Sequence, residues 1–161
     1  VPKWSVGGTS SSYRWLRDGV AIPGATGRSR KISGDDVAST LTVQVTGRRD
    51  GHADGHVSSR TVTVPKVATS TKLSLTGSRR AGHHAIAHVS ISASGVTPTG
   101  RFEIRDRGYV VGFGRVVAAD HGRTTVRLPR LTRRTHRYTI VFPGSATTRK
   151  STSKTVKLVV R

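Results

Sequence analysis

In the 161 residues no stretch of twelve carries a helical period. The apolar residues instead recur at every second position, in short runs closed by Gly, Pro or Asp. A period of two sends alternate side chains to opposite faces, so such runs bury themselves as strands of half-buried antiparallel sheets. Leu41, Val43 and Val45 alternate with Thr42, Gln44 and Thr46. Further on, Ala85, Ala87, Val89 and Ile91 share one face, with His84, Ile86 and His88 opposite. Phe102 and Ile104 sit between Arg101, Glu103 and Arg105; Tyr138, Ile140 and Phe142 form another set, and Val156, Leu158 and Val160 the last. The fold class expected is therefore all-β.

Two segments emerge. In the first, Tyr13 to Gly19 and Val20 to Gly27 read as strand, turn and strand, with Tyr13 and Trp15 on one face and Arg14 and Leu16 on the other. Asp18-Gly19 is a hairpin signal and Pro23-Gly24 a second turn. Trp4 is expected to close one end of this core. Gly47 to Ser58 reads as a loop, and Arg60 to Val64 as the last strand with Val62 and Val64 inward. Pro65 to Thr71 has the composition of a linker. The second segment carries seven or so short strands separated by turns at intervals of about 8–12 residues, the spacing of a β-sandwich. Domains are expected at 1–65 and 66–161.

Charge is the strongest compositional signal. The formal net charge is +20, and cysteine and methionine are both absent. Residues 1–66 hold 10 basic and 5 acidic side chains (+5), whereas residues 67–161 hold 18 and 3 (+15). The excess in the second segment fits a polyanionic partner: nucleic acid, an anionic envelope or an acidic polysaccharide. It fits equally a genome rich in arginine codons, since Arg outnumbers Lys 21 to 7. Without cysteine there are no disulfides and no thiolate metal sites. No apolar run approaches the roughly 18 residues of a membrane span, so membrane insertion is not expected. A chain that starts at Val1 without methionine reads as a piece of something longer.

Family likeness rests on three motif strings. Tyr13-Arg14-Trp15-Leu16-Arg17-Asp18-Gly19 with Ile22-Pro23-Gly24-Ala25-Thr26 resembles the repeat pattern Y-x-W-x-R-D-G-x-x-I-x-G-A-T of Ig-like modules in bacterial surface and secreted proteins, especially those of actinobacteria. Asp35-Asp36-Val37 followed by Leu41, Val43 and Val45 resembles its A-D-V-G…L-x-V-x-V segment, with Ala38 in place of the glycine. The second segment is similar to a different tandem Ig-like repeat. It carries Pro98-Thr99-Gly100-Arg101-Phe102-Glu103-Ile104, Asp106 with Gly108, and Tyr138 to Ser145, where Ser145 replaces the usual aspartate. The resemblance implies two tandem Ig-like β-sandwiches, the first lacking its N-terminal strand. It also implies stalk, spacer or adhesive roles outside the cell, without catalysis.

Candidate chemistry is sparse. His52, Asp54 and His56, with Asp50 ahead, are ligand-type residues in a Gly-rich loop and read equally as a variable loop. His84 and His88 lie about 13 Å apart along an extended strand, too far to share one ion. There is no Gly-x-Ser-x-Gly elbow. Asp35-Asp36 reads as turn chemistry, and Asp106 and Asp120 fall in turns. No enzymatic activity, cofactor or metal is expected. The basic surface has a geometry: Arg101, Arg105, Arg137 and Lys157 are expected on one sheet face, Arg107 at its turn, and Arg130, Arg133 and Arg134, with His136, at one end. Guanidinium groups suit phosphate or carboxylate partners. Tyr109 alone is expected as an exposed aromatic for stacking.

The function expected is a non-enzymatic structural or adhesive module of a secreted or cell-surface protein, attaching electrostatically to an anionic cell-envelope polymer or meeting another protein module. Two alternatives stand beside it. One is polyanion or nucleic-acid binding through the second domain's basic face; the other is a fibre or phage-like assembly subunit that exchanges a strand with a neighbouring chain.

Overall fold

The structure, a computed structural model, describes residues 3–5 and 7–161. The chain forms two compact units, Val1–Pro65 and Lys66–Arg161. Strands dominate both; the helical content of the described residues is two single 3-10 turns, Gly34–Asp36 and Ala118–Asp120.

The first unit is built on one antiparallel sheet. Strand β1 (Ser10–Arg17) turns through Asp18-Gly19 into β2 (Val20–Ala21). Asp18 (φ 49°) and Gly19 (φ 81°) both have positive φ, the form of two-residue turn whose twist matches a hairpin. The Asp18 carboxylate also accepts from Thr40 N (2.7 Å) and Thr40 Oγ1 (3.0 Å), pinning the turn to β3 (Thr40–Arg48). Those hydrogen bonds, the backbone one first, hold its carboxyl below the usual aspartate range. Strands β4 (Gly55–Ser58) and β5 (Val62–Thr63) both pair with β3, so β4 lies where a loop was expected. Its Gly-His-Val-Ser sequence has one residue that favours strands; the pairing with β3 supplies the rest.

Register puts Tyr13 opposite Val45 and Trp15 opposite Val43, so Tyr13, Trp15, Val43 and Val45 share one face, as the alternation predicts. Trp4 covers one end of it. Its ring lies where Cβ atoms on Gly47 and Gly55 would stand (2.5 and 2.8 Å), and its Nε1 donates to Ser11 Oγ at 3.0 Å. At the other end, buried Asp36 accepts from Arg30 Nη1 (2.8 Å) and Ser33 N (2.8 Å) and lies 3.5 Å from Arg17 Nη1. The face is only partly covered. Val64 is buried as expected, but Val62, on the two-residue strand β5, is 59 % exposed.

The second unit is a two-sheet sandwich. One sheet has the order β10-β7-β6, from β6 (Thr69–Gly77), β7 (Ala85–Ala93) and β10 (Arg123–Arg127). The other runs β12-β11-β8-β9, from β8 (Gly100–Asp106), β9 (Tyr109–Val116), β11 (Thr135–Phe142) and β12 (Ser151–Thr152), with β13 (Val156–Val159) also on β11. Ala85, Ala87, Val89 and Ile91 from one sheet meet Phe102, Ile104, Ile140, Phe142 and Leu158 from the other. These are the inward sets that the alternation marked. At the strand ends, Val67 bridges Thr148, and Ser145 Oγ bonds Thr148 Oγ1 at 2.8 Å.

Candidate polyanion interface

The outer face of the β8-containing sheet is set by the same alternation that fills its core. While Phe102, Ile104 and Asp106 point inward, Arg101, Glu103 and Arg105 point out. On one side β11 places Thr139 beside Arg105, and β13 in turn places Lys157 beside Arg137. On the other side β9 places Arg115 directly opposite Arg101 and Phe113 directly opposite Glu103. The register slips between Ile104 and Arg105, leaving one extra residue in β9. That bulge reverses the alternation, so Val110, and not Tyr109, accompanies Phe113 on the outer face.

Strand β9 reads Tyr-Val-Val-Gly-Phe-Gly-Arg-Val, and its two glycines explain the arrangement. Gly114 faces inward against Phe102; a Cβ there would sit 2.2 Å from the phenylalanine ring. At this point along β9 the core is thus filled by Phe102 of β8, while Phe113 and Arg115 of β9 are turned to solvent and Val116 returns to the core. Tyr109 is exposed as expected, at 80 %, and Phe113, at 54 %, is a second exposed aromatic beside it, which corrects the expectation of Tyr109 alone. The Arg101 guanidinium carbon lies 5.1 Å from the Phe113 ring centroid, within cation–π range.

The eight basic residues expected at this surface divide by their partners. Arg105 donates through Nε (2.9 Å) and Nη2 (2.6 Å) to a single oxygen of Glu103. Arg107 is bonded to the Thr135 carbonyl, Arg130 to the Gly82 carbonyl, and Arg134 to Asp106. Arg101, Arg133, Arg137 and Lys157 have no carboxylate partner among the described residues. The sequence expectation passed over Arg115, a further cation without a carboxylate partner among the described residues, although it follows Phe113 at the strand period. It also passed over the other sheet, where Lys72 and Arg123 flank Ser90 on neighbouring strands.

Below the β8–β9 turn lies a buried polar cluster. Asp106 Oδ1 accepts from Arg137 N (2.8 Å), and Oδ2 lies 2.7 Å from His136 Nδ1 and 2.9 Å from Arg134 Nη2. Burial raises the Asp106 pKa, but the Arg137 hydrogen bond, His136 and Arg134 outweigh it and hold the carboxyl below its ordinary range. The His136 ring stacks on Tyr138, centroids 5.4 Å apart, with Nε2 3.0 Å from the Thr132 carbonyl oxygen. Burial, then the charge of Asp106, pushes the Tyr138 hydroxyl up to about 12. Both carboxylate oxygens are taken by partners of the fold, so the cluster fixes a turn and one end of the sheet.

The histidine-rich segments are dispersed. His56 Nδ1 meets Thr46 Oγ1, Asp54 pairs with Arg48, and His52 turns to the Asp50 carbonyl. His84 Nδ1 lies 2.7 Å from the Leu128 carbonyl, and His88 Nε2 2.7 Å from Thr76 Oγ1. Among the described residues, no group of three or more His, Cys, Asp or Glu converges as a metal site would.

No family model matches the sequence, and no curated protein matches it. Among solved structures, the amphioxus IgVJ-C2 molecule superposes with a TM-score of 0.53 at 10 % identity, over 98 % of this chain and 92 % of that one. The chain has an Ig-like fold. At that identity the likeness concerns architecture, and Ig-like sandwiches host many unrelated sites. No helix among the described residues is long and apolar enough to cross a membrane.

Proposed function

We propose that the chain is a non-enzymatic structural module of a larger secreted or cell-surface bacterial protein, held by electrostatic attachment to anionic envelope polymers. One observation carries this reading. The outer sheet face of the second unit holds Arg101, Arg115, Arg137 and Lys157 without a carboxylate partner, and its one acid, Glu103, is already engaged by Arg105. Short antiparallel strands over an apolar core give a rigid spacer, and the charge supplies attachment without a concave site. Like charges held on one face repel, and an anionic polymer laid across them relieves that repulsion.

The test is binding to purified cell-wall polymer, heparin and a short DNA duplex across a salt series. Attachment that persists near 0.15 M salt and weakens when Arg101, Arg105 and Arg137 are replaced by Ser is the expected result. Weak binding to all three that vanishes well below that salt would leave the charge without a role. A second reading draws on the first unit, whose single sheet leaves Val57 and Val62 exposed and Tyr13 and Trp15 half-buried. There the chain would be an assembly subunit pairing with a neighbour's strand, and a monomer at high concentration by light scattering would overturn it.

A further inference from the structure

Within that attachment reading, on which the following rests, we infer that Arg101, Arg115, Phe113 and Glu103 form a subsite for a carboxylated sugar of an acidic polysaccharide. Four observations converge on it. First, Arg101 and Arg115 are cross-strand partners, and like charges in that position destabilise a sheet. Neither has a carboxylate to neutralise it among the described residues. An anion seated between the two guanidiniums removes the repulsion, and their planar forks match a carboxylate.

Second, Phe113 stands next to Arg115 along the outer face and across from Glu103, with its ring held by the Arg101 guanidinium. It is a large apolar ring exposed to water with no core role, since the Phe102 ring fills the inside of β9. The ring edge and remaining face offer an apolar platform next to the anion position, which suits the C–H face of a pyranose. Third, Glu103, the cross-strand partner of Phe113, accepts both Arg105 bonds on Oε2, and among the described residues Oε1 has no hydrogen-bond partner. A carboxylate oxygen accepts from a sugar hydroxyl, a donor that pyranose rings carry and the DNA backbone does not.

Fourth, β9 is the edge strand of its sheet, so Phe113 and Arg115 stand at the border of the outer face and not in its middle. The same features weigh against nucleic acid. A reader of single strands wants several stacking rings in succession along a basic groove. Here the two exposed rings, Phe113 and Tyr109, stand at separate places along β9, on opposite sides of its bulge, and an acid sits in the middle of the face.

The experiment measures binding of the whole chain to polygalacturonate, a 20-nucleotide DNA and neutral dextran at about 0.05 and 0.15 M salt. The variants are Phe113→Ala, Arg115→Ser, Glu103→Gln and, as a charge-matched control on an exposed residue elsewhere, Lys150→Ser. Polygalacturonate should bind best, and Phe113→Ala and Arg115→Ser should each weaken it about tenfold, against less than about twofold for Lys150→Ser. Glu103→Gln should move preference toward DNA. Circular dichroism confirms that these surface variants stay folded. If Phe113→Ala binds as the parent does while charge variants weaken all polyanions alike, the subsite is overturned and electrostatic attachment survives. If DNA binds tighter than polygalacturonate through the same residues, the sugar assignment is overturned in favour of nucleic acid. If no polymer binds even at the lower salt, the attachment reading fails and the subsite with it.

Discussion

Ala38 occupies the left-handed region, at φ 65°, one residue beyond Val37, the C-cap of the 3-10 turn that delivers buried Asp36. Its N–H donates to the Val64 carbonyl at 2.9 Å, which locks the backbone there, and a Cβ in that region clashes with the neighbouring carbonyl. The resemblance places glycine at this position, and the geometry gives the reason. Ala38→Gly should therefore raise stability by about 1 kcal/mol, read as a shift in the tryptophan unfolding midpoint. Two residues earlier, the Asp36 carboxyl is lowered to about 2, chiefly by the Arg30 hydrogen bond working against burial. A folded pKa below the unfolded value means stability that is complete above about pH 4 and lost as the pH falls toward 2. Acid titration followed by tryptophan fluorescence should show this loss, and Asp36→Asn, already lacking the charge, should show a flatter curve over the same window from a lower starting stability.

At the scale of the strand, β9 shows how a core position can decide a surface. Because Gly114 makes room for Phe102, the middle of the strand adds no side chain to the core between Val111 and Val116, and Phe113 and Arg115 are presented outward. Gly114→Ala puts a methyl into the Phe102 ring and should cost about 2 kcal/mol, since overpacking a filled core displaces side chains from their rotamers. A melting temperature unchanged in that variant would mean the ring has room to move. Strands such as β7, β8 and β11 were legible in the sequence because each is half-buried, and burial of one face is what writes a period of two. Strand β4 was not, because its pairing comes from β3 and not from its own side chains. Phe113 was hidden for a different reason. A large apolar residue in a strand reads as core, and here the inward positions on either side of it are taken by Gly112 and Gly114, against Ile104 and Phe102. The partners of Arg107 and Arg134 are likewise set by where the β8–β9 turn and the loop before β11 come together, which spacing along the chain does not encode.

Over the whole molecule the two units differ in how much core holds them. The second buries a continuous apolar cluster from Ala85 to Val160, whereas the buried apolar residues of the first are Leu41, Val45 and Val64. Small units bury a smaller fraction of their surface and are the more marginal for it. Both tryptophans, Trp4 and Trp15, belong to the first unit, so their fluorescence reports its unfolding alone, while far-ultraviolet circular dichroism reports the strands of both. Urea titration should then give two transitions, with tryptophan fluorescence changing at lower urea than the larger part of the dichroism signal. Salt should separate them further. The second unit carries the greater net positive charge, and screening its self-repulsion raises its midpoint more than that of the first. Coincident transitions at every salt concentration would mean that the chain unfolds as a single cooperative body, and that the sparse core of the first unit is stabilised by something other than its own residues.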